Sequence, residues 1–352
     1  MKSSPEIIRL SRQLNASLPR RRRLVHSSDS EPGILREKHG QEFQYMRDGK
    51  KIEEPMELLR IRQLAIPPAW RNVWICRNPD GHLQATGLDA RNRKQYKYHL
   101  AWSSWRNQTK FGRLTKFIAG LPSLRKRMNK DLSSQGMHSD KIIATVLSLM
   151  EKTYIRIGNS EYERENGSYG LTTLKDQHVK IEGDQIRFQF RGKRGIEHKI
   201  TLRNARLSRI VKQCRDIPGR ELFQYYDENG TRHVLDSGMV NQYLQESLGK
   251  EFTAKDFRTW AGTLNAFAML RKLGEAKNQA EMKRKSNEVL SFVSAQLGNT
   301  VAVCRKYYIH PLLLDLFGSR KFHERVNALG HVKRIEGLLA DEVLMLGLLE
   351  SK

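Results

Sequence analysis

Hydrophobic positions keep two rhythms along this chain. Up to about residue 103 they fall in short alternating runs broken by turn residues, the period of half-buried strands. FQYMRDGKKI, residues 43–52, sets Asp48-Gly49 between two strand-like runs, and VWICRNPDGHLQATG turns at Asn78 to Gly81, so two hairpins are expected. From about residue 104 the period lengthens to that of helices. Ile142, Val146, Leu149 and Met150 recur at helical spacing behind Ser139 as cap, and Ser286 and Gly298 read as the start and stop of a later helix. The apolar stretch Leu338 to Leu349 reads as one more helix, amphipathic or buried, belonging to the core.

One β interruption breaks the helical half. In HVKIEGDQIRFQFRGKRGIEHKITL, Ile186, Phe188 and Phe190 alternate on one strand, and Ile196, His198, Ile200 and Leu202 on the next. RGKRG lies between them, which puts Lys193 at a hairpin tip. The expected fold is α+β. A flexible basic arm covers residues 1–30 and carries the run Arg20-Arg21-Arg22-Arg23; a small β-rich domain follows over 31–103, then a larger, mainly helical domain over 104–352 with one β-hairpin sheet. No internal repeat is visible.

Charge adds a partner to this picture. Sixty-three Lys and Arg against 38 Asp and Glu leave a formal net charge of +25 over 352 residues. An excess spread along the whole chain fits a polyanion whose condensed counterions are released on binding, with nucleic acid as the leading candidate. A basic ribosome-associated or membrane-surface protein is the other reading, but it does not need so long a folded chain. No apolar run approaches the ~20 residues of a membrane span and no secretory signal opens the chain, so a cytoplasmic, nucleoid-associated protein is expected. Cys76, Cys214 and Cys304 lack paired spacing and suggest neither a disulfide framework nor a zinc site.

The candidate chemistry centres on LGNTVAVCRKYYIHP, residues 297–311, where Tyr307 and Tyr308 stand side by side. A phenol with a pKa near ~10 becomes a useful nucleophile only where neighbours favour the phenolate or stabilise charge on the group attacked. Phosphoryl transfer places that charge on the equatorial oxygens of phosphorus. The sequence offers no carboxylate cluster of metal-ligand type, so basic side chains and amide donors must meet it.

Those cations fall in a recognisable order. RIGN at 156–159, FRGKRG at 190–195, KDFRTW at 255–260 and LGNT with Tyr308 nine residues past Asn299 resemble the active-site boxes of type IB DNA topoisomerases. GLDARNRKQYKYH, residues 87–99, is similar to the DNA-contacting strand and loop of that family, and YIHP at 308–311 looks like its bacterial branch. The resemblance runs from about residue 35 to about 315, and it implies the catalytic fold shared by these enzymes and the tyrosine recombinases.

By this resemblance Tyr308 is the nucleophile that forms a 3′-phosphotyrosyl link, Arg156 and Arg258 clamp the scissile phosphate, and Lys193 is the general acid for the departing 5′-oxygen. The residue types suit those roles. A guanidinium stays charged and offers a rigid fork to two non-bridging oxygens, whereas an ammonium can surrender a proton. Asn299 stands where many family members carry histidine; its amide can donate a hydrogen bond but not a charge. The resemblance further implies DNA contacts from Arg91, Arg93, Lys94, Gln95, Tyr96, Tyr98 and Lys255. It also implies a monomer that clamps double-stranded DNA and needs neither ATP, metal nor other cofactor, and no GxxxxGK[ST] phosphate loop appears.

Two other functions fit part of the pattern. A tyrosine recombinase shares most of this chemistry, but usually has histidine where Lys255 stands and lacks the β-rich GLDARNRKQYKYH domain. A non-catalytic DNA-binding protein is permitted by charge alone. Tyr307, His178 and His310 read as structural: adjacent helical residues point about 100° apart, so only one of the two tyrosines can face a phosphate.

Overall fold

The computed structural model describes residues 24–40, 42–90, 92–330 and 333–351. The chain divides into two compact units, Met1–Thr109 and Lys110–Lys352, so the break falls six residues beyond the expected position, inside a helix.

The first unit is an antiparallel sheet built from β1 (Ile34–His39), β2 (Glu42–Arg47), β3 (Lys50–Lys51), β4 (Arg71–Ile75), β5 (Leu83–Leu88) and β6 (Lys94–Tyr98) in the order β3-β2-β1-β4-β5-β6. Both hairpins occur where the sequence puts them. Asp48 (φ 50°) and Gly49 (φ 75°) are both left-handed, the turn whose twist matches paired strands. Helix α1 (Pro55–Gln63) packs Ile61 against Ile34, Val73, Ile75 and Ala85 in a small core. Helix α2 (Leu100–Gly112) follows β6 and contains the break.

The expected free arm is corrected from Leu24 onward. Ser27 Oγ donates to the Leu83 carbonyl at 3.0 Å and accepts from the Leu83 amide at 3.1 Å, while His26 stacks on His82 with ring centres 4.5 Å apart. A hydroxyl and an imidazole with such partners tie this segment to the sheet, against the polar composition that suggested a free chain. The run Arg20–Arg23 lies outside the described residues.

The second unit is mainly helical: α3 (Leu114–Ser133), α4 (Ser139–Thr153), α5 (Ser160–Asn166), α6 (Ala205–Asp216), α7 (Ser237–Leu248), α8 (Ala254–Leu273), α9 (Gln279–Leu297), α10 (Val301–Tyr307), α11 (Pro311–Gly318), α12 (Phe322–Ala328) and α13 (Ala340–Glu350). A three-stranded antiparallel sheet, β7 (Val179–Glu182), β8 (Gln185–Arg191) and β9 (Glu197–Arg203), follows α5, and the short pair β10 (Gln224–Tyr226) and β11 (Arg232–Val234) follows α6. The fold is thus the α+β arrangement expected.

Helix α4 is enclosed on all sides, with even Thr145 and Ser148 buried, as is most of α8. These two helices form the centre on which the sheet and the outer helices pack. Two helix starts are corrected. Ser139 is the first residue of α4, and His138 occupies the cap. Helix α9 begins at Gln279, because Asn278 Oδ1 accepts from the Glu281 amide at 2.9 Å; Ser286 lies inside it.

The last helix is fastened by charge as well as by apolar contact. Glu342, fully buried, accepts from Arg125 Nη2 and Trp260 Nε1 at 2.7 and 3.0 Å, and Arg125 also pairs with Glu151. One guanidinium therefore joins α3, α4 and α13, and the indole brings in α8. Removing one partner of a buried ion pair strands the other charge and costs about 3–5 kcal/mol. Glu342→Ala is expected to lower the unfolding free energy by about 3 kcal/mol in denaturant titration, since Glu151 keeps half of the pairing; a loss below about 0.5 kcal/mol would contradict this account of the network.

Candidate active site

The backbone brings four separated segments together. Helix α4 ends at Tyr154, whose left-handed conformation (φ 58°) is uncommon for a bulky side chain and turns the chain sharply into Arg156. The Arg156 and Ile157 carbonyls accept from the amides of Leu171 and Thr172 at 2.8 and 2.7 Å. Gly170 has no side chain because a β-carbon there would stand 2.6 Å from the Arg156 carbonyl oxygen. The RIGN segment is thus pinned on both sides.

Arg258, on α8, is only 6% exposed. Its Nη1 donates to the Tyr154 carbonyl at 2.8 Å and its Nη2 to the Leu297 carbonyl at 2.6 Å, the ends of α4 and α9. Helix C-termini carry partial negative charge, so two of them hold this guanidinium without a carboxylate. Asp256, two residues earlier, caps α8 by accepting from the Thr253 amide at 2.9 Å and pairs with Arg113 at 2.7 Å, fixing where the arginine starts.

Gly298, left-handed at φ 56°, ends α9 as the sequence predicts and delivers Asn299. Asn299 Oδ1 accepts from Arg156 Nη2 at 2.7 Å. A guanidinium only donates, so the amide must turn its oxygen that way and its Nδ2 the other. That Nδ2, like Arg258 Nε, is buried with no hydrogen-bond partner among the described residues.

Tyr308 follows the last residue of α10 and is half-buried. The Arg258 guanidinium lies 5.1 Å from its ring centre and Lys110 Nζ 5.0 Å. Its carbonyl sits 3.1 Å from Thr263 Oγ1 on α8, and Gly262 beside that threonine permits the approach: a β-carbon there would be 2.6 Å from the Tyr308 oxygen. Tyr307 is exposed, with Lys306 over its ring. The two tyrosines part as helical geometry requires, and His310 serves as the cap of α11.

Lys193 sits at the exposed tip between β8 and β9, in a tight turn where Arg194 and Gly195 have φ of 65° and 76°. The electrostatics unify these residues. Burial and the Arg258 charge push Arg156 down to about 10, still well above neutrality, so it keeps its proton. Burial also lowers Arg258, offset in part by the Tyr308 phenol. Lys193 is lowered by desolvation and then by Arg156, Arg194, Lys255 and Arg258, which places Lys255 in the same field. Among the described residues, the neighbours that dominate these three shifts include no carboxylate.

In the first unit, Lys94, Tyr96 and Tyr98 are exposed on β6. Lys94 pairs with Asp29 at 2.6 Å, and Asp89 holds both Arg93 (2.7 Å) and Gln95 (3.0 Å). Arg91 lies outside the described residues. Sequence reasoning missed Lys110, Gly262 and Asp256; of these only a glycine inside a helix, at Gly262, carried a signal of close backbone approach.

Comparison with known proteins decides the family. Residues 95–316 match the family described as eukaryotic DNA topoisomerase I, catalytic core, and residues 42–89 the bacterial DNA topoisomerase IB, N-terminal domain. The chain is 35% identical to the DNA topoisomerase 1B of Acanthamoeba polyphaga mimivirus over 295 residues, 81% of this chain and 87% of that protein. The chain belongs to the type IB DNA topoisomerases.

More distant topoisomerases extend the likeness. Vaccinia virus (strain Copenhagen) DNA topoisomerase 1B is 21% identical over 68% of this chain and 74% of its own length. DNA topoisomerase 1 of Mycosarcoma maydis is 25% identical over 63% of this chain but only 24% of its own length. The viral relatives show that the bacterial resemblance of YIHP does not by itself place the chain in one branch.

In a topoisomerase site built this way, the α8–Tyr308 approach is a fixed dimension. Gly262→Ala is expected to displace Tyr308 and lower relaxation activity about a hundredfold, the usual scale for a displacement near 1 Å, with DNA binding unchanged. Normal activity in that variant would show that the Gly262 contact does not set the tyrosine's position.

Proposed function

We propose that this topoisomerase, acting as a monomer on double-stranded DNA, relaxes supercoils through a transient 3′-phosphotyrosyl intermediate formed by Tyr308. The Tyr308 oxygen attacks a backbone phosphorus, giving up its proton to solvent as the new P–O bond forms. The bond from phosphorus to the 5′-oxygen breaks, and Lys193 protonates that oxygen. The nicked strand rotates; the 5′-hydroxyl, returning its proton to Lys193, then attacks the phosphotyrosine phosphorus, the bond to the Tyr308 oxygen breaks, and that oxygen regains a proton from solvent. One phosphoester replaces another, so the cycle conserves bond energy and needs no ATP.

Two buried, unpartnered donors carry this reading: Arg258 Nε and Asn299 Nδ2. Buried donors without acceptors cost about 1–3 kcal/mol each, a cost that a phosphate's non-bridging oxygens would relieve. Arg156 adds a second guanidinium, and charge growing on phosphorus in the transition state would bind this donor set more tightly than the ground state does. Lys193 suits the acid's part because desolvation, and after it the neighbouring cations, weaken its hold on its proton. Arg93, Lys94, Gln95, Tyr96, Tyr98 and Lys255 would extend the contact along the duplex, the first three exchanging Asp89 and Asp29 for phosphates or base edges.

The test is relaxation of negatively and positively supercoiled plasmid in EDTA without ATP. Wild type and Tyr307→Phe are expected to relax both. Tyr308→Phe is expected to relax neither while still binding DNA, and relaxation by that variant at the wild-type rate would remove Tyr308 from the mechanism.

A further inference from the structure

His198 has no part in the chemistry above, yet it stands between two of its parts. It lies on β9 directly opposite Phe190 of β8, and the two rings stack with centres 5.1 Å apart and planes 17° from parallel. On one side a β-carbon built on Gly192 would come 2.6 Å from the imidazole Cδ2 and 2.7 Å from Nε2. On the other, a β-carbon built on Gly298 would come 2.6 Å from Cε1. The ring therefore occupies the side-chain space of both glycines.

Gly192 immediately precedes Lys193, and Gly298 immediately precedes Asn299. Gly192 also closes the hairpin tip: its amide donates to the Ile196 carbonyl at 2.7 Å and its carbonyl accepts from the Gly195 amide at 3.0 Å. We infer that His198 is a positioning residue, its ring wedged between the Lys193 hairpin and the Gly298–Asn299 turn so that the lysine is held where the 5′-oxygen departs. This rests on Lys193 being the general acid.

The chemistry of the ring fits a spacer better than a proton carrier. Burial, Arg156 and Arg258 all disfavour its charged form, with only Glu197 acting the other way, so the imidazole is neutral at physiological pH. A flat, uncharged ring fills the gap without adding a further cation to a cluster that already crowds Lys193. A lysine at an exposed turn has little else to fix its direction, since a long flexible stem gives the ammonium many positions.

The experiment compares single-turnover cleavage of two duplexes, one with the ordinary 5′-bridging oxygen and one with sulfur in its place. A thiolate leaves without protonation, so a defect in acid catalysis disappears with sulfur. His198→Ala is expected to slow cleavage of the oxygen duplex about tenfold, part of the ~10²–10⁴-fold that general acids supply, and to leave the sulfur duplex within about twofold of wild type. Gly192→Ala, whose added methyl pushes the ring from the other side, is expected to show the same pattern, and the double variant to be no worse than the poorer single one. It also serves where His198→Ala folds poorly, as judged by thermal melting.

Equal losses on both duplexes, or no loss on either, in the folded variants would overturn the inference. Lys193→Ala, run alongside, keeps the two ideas apart. If its defect also persists with sulfur, the acid assignment fails; if sulfur rescues it but neither His198→Ala nor Gly192→Ala, only the role of His198 fails.

Discussion

The site depends on a buried guanidinium held by carbonyls instead of a carboxylate. Arg258 is almost without solvent, and its two Nη groups end on Tyr154 and Leu297, where α4 and α9 stop. An acidic partner would have satisfied the same donors more strongly, but it would also have cancelled the charge. Backbone carbonyls at helix ends offset the desolvation cost while leaving a net positive charge in place. That arrangement requires two helices to end at one point, which is why a left-handed Tyr154 and a left-handed Gly298 sit beside the arginine. Arg125 makes the contrast within the same unit: paired with Glu151 and Glu342, its charge is spent on holding helices together.

That uncancelled charge adds to what burial does to the neighbouring groups. Burial first and then Arg258 push Arg156 down, yet it remains a cation; Lys193, a weaker base to begin with, is lowered by desolvation and then by Arg156, Arg194, Lys255 and Arg258. Cys304, buried beneath the site, has its thiol pushed up to about 11 by desolvation in spite of both arginines, so it stays an inert packing group at neutral pH. In the proposed mechanism this environment would separate a clamp from an acid, with guanidinium where charge must persist and ammonium where a proton must move.

Much of this was legible in the sequence because it rests on residue type and local period. The β8 alternation placed Ile186, Phe188 and Phe190 inward and so put Lys193 at the tip, and Gly298 announced the turn before Asn299. What the sequence could not carry is contact across the chain. The start of α9 is not of that kind: Asn278 with Glu281 three residues on is a local cap signature that the choice of Ser286 passed over. The segment from Leu24 looked free since its polar residues gave no hint of their partners at His82 and Leu83. His198 read as one member of an alternating strand; its fit against glycines 6 and 100 residues away exists only after folding.

The amide at Asn299 follows from the same constraint. A histidine there could become a further cation beside Arg156, in a pocket where burial and Arg258 already press against that arginine's charge. An amide faces Arg156 with its oxygen, relieving the crowding, and presents Nδ2 as a neutral donor on its other side. The cost is that it brings no charge of its own to the phosphate. Where desolvation and then Arg156, Arg194, Lys255 and Arg258 already lower Lys193, a neutral donor would, in the proposed mechanism, add a hydrogen bond to the phosphate without adding a further cation.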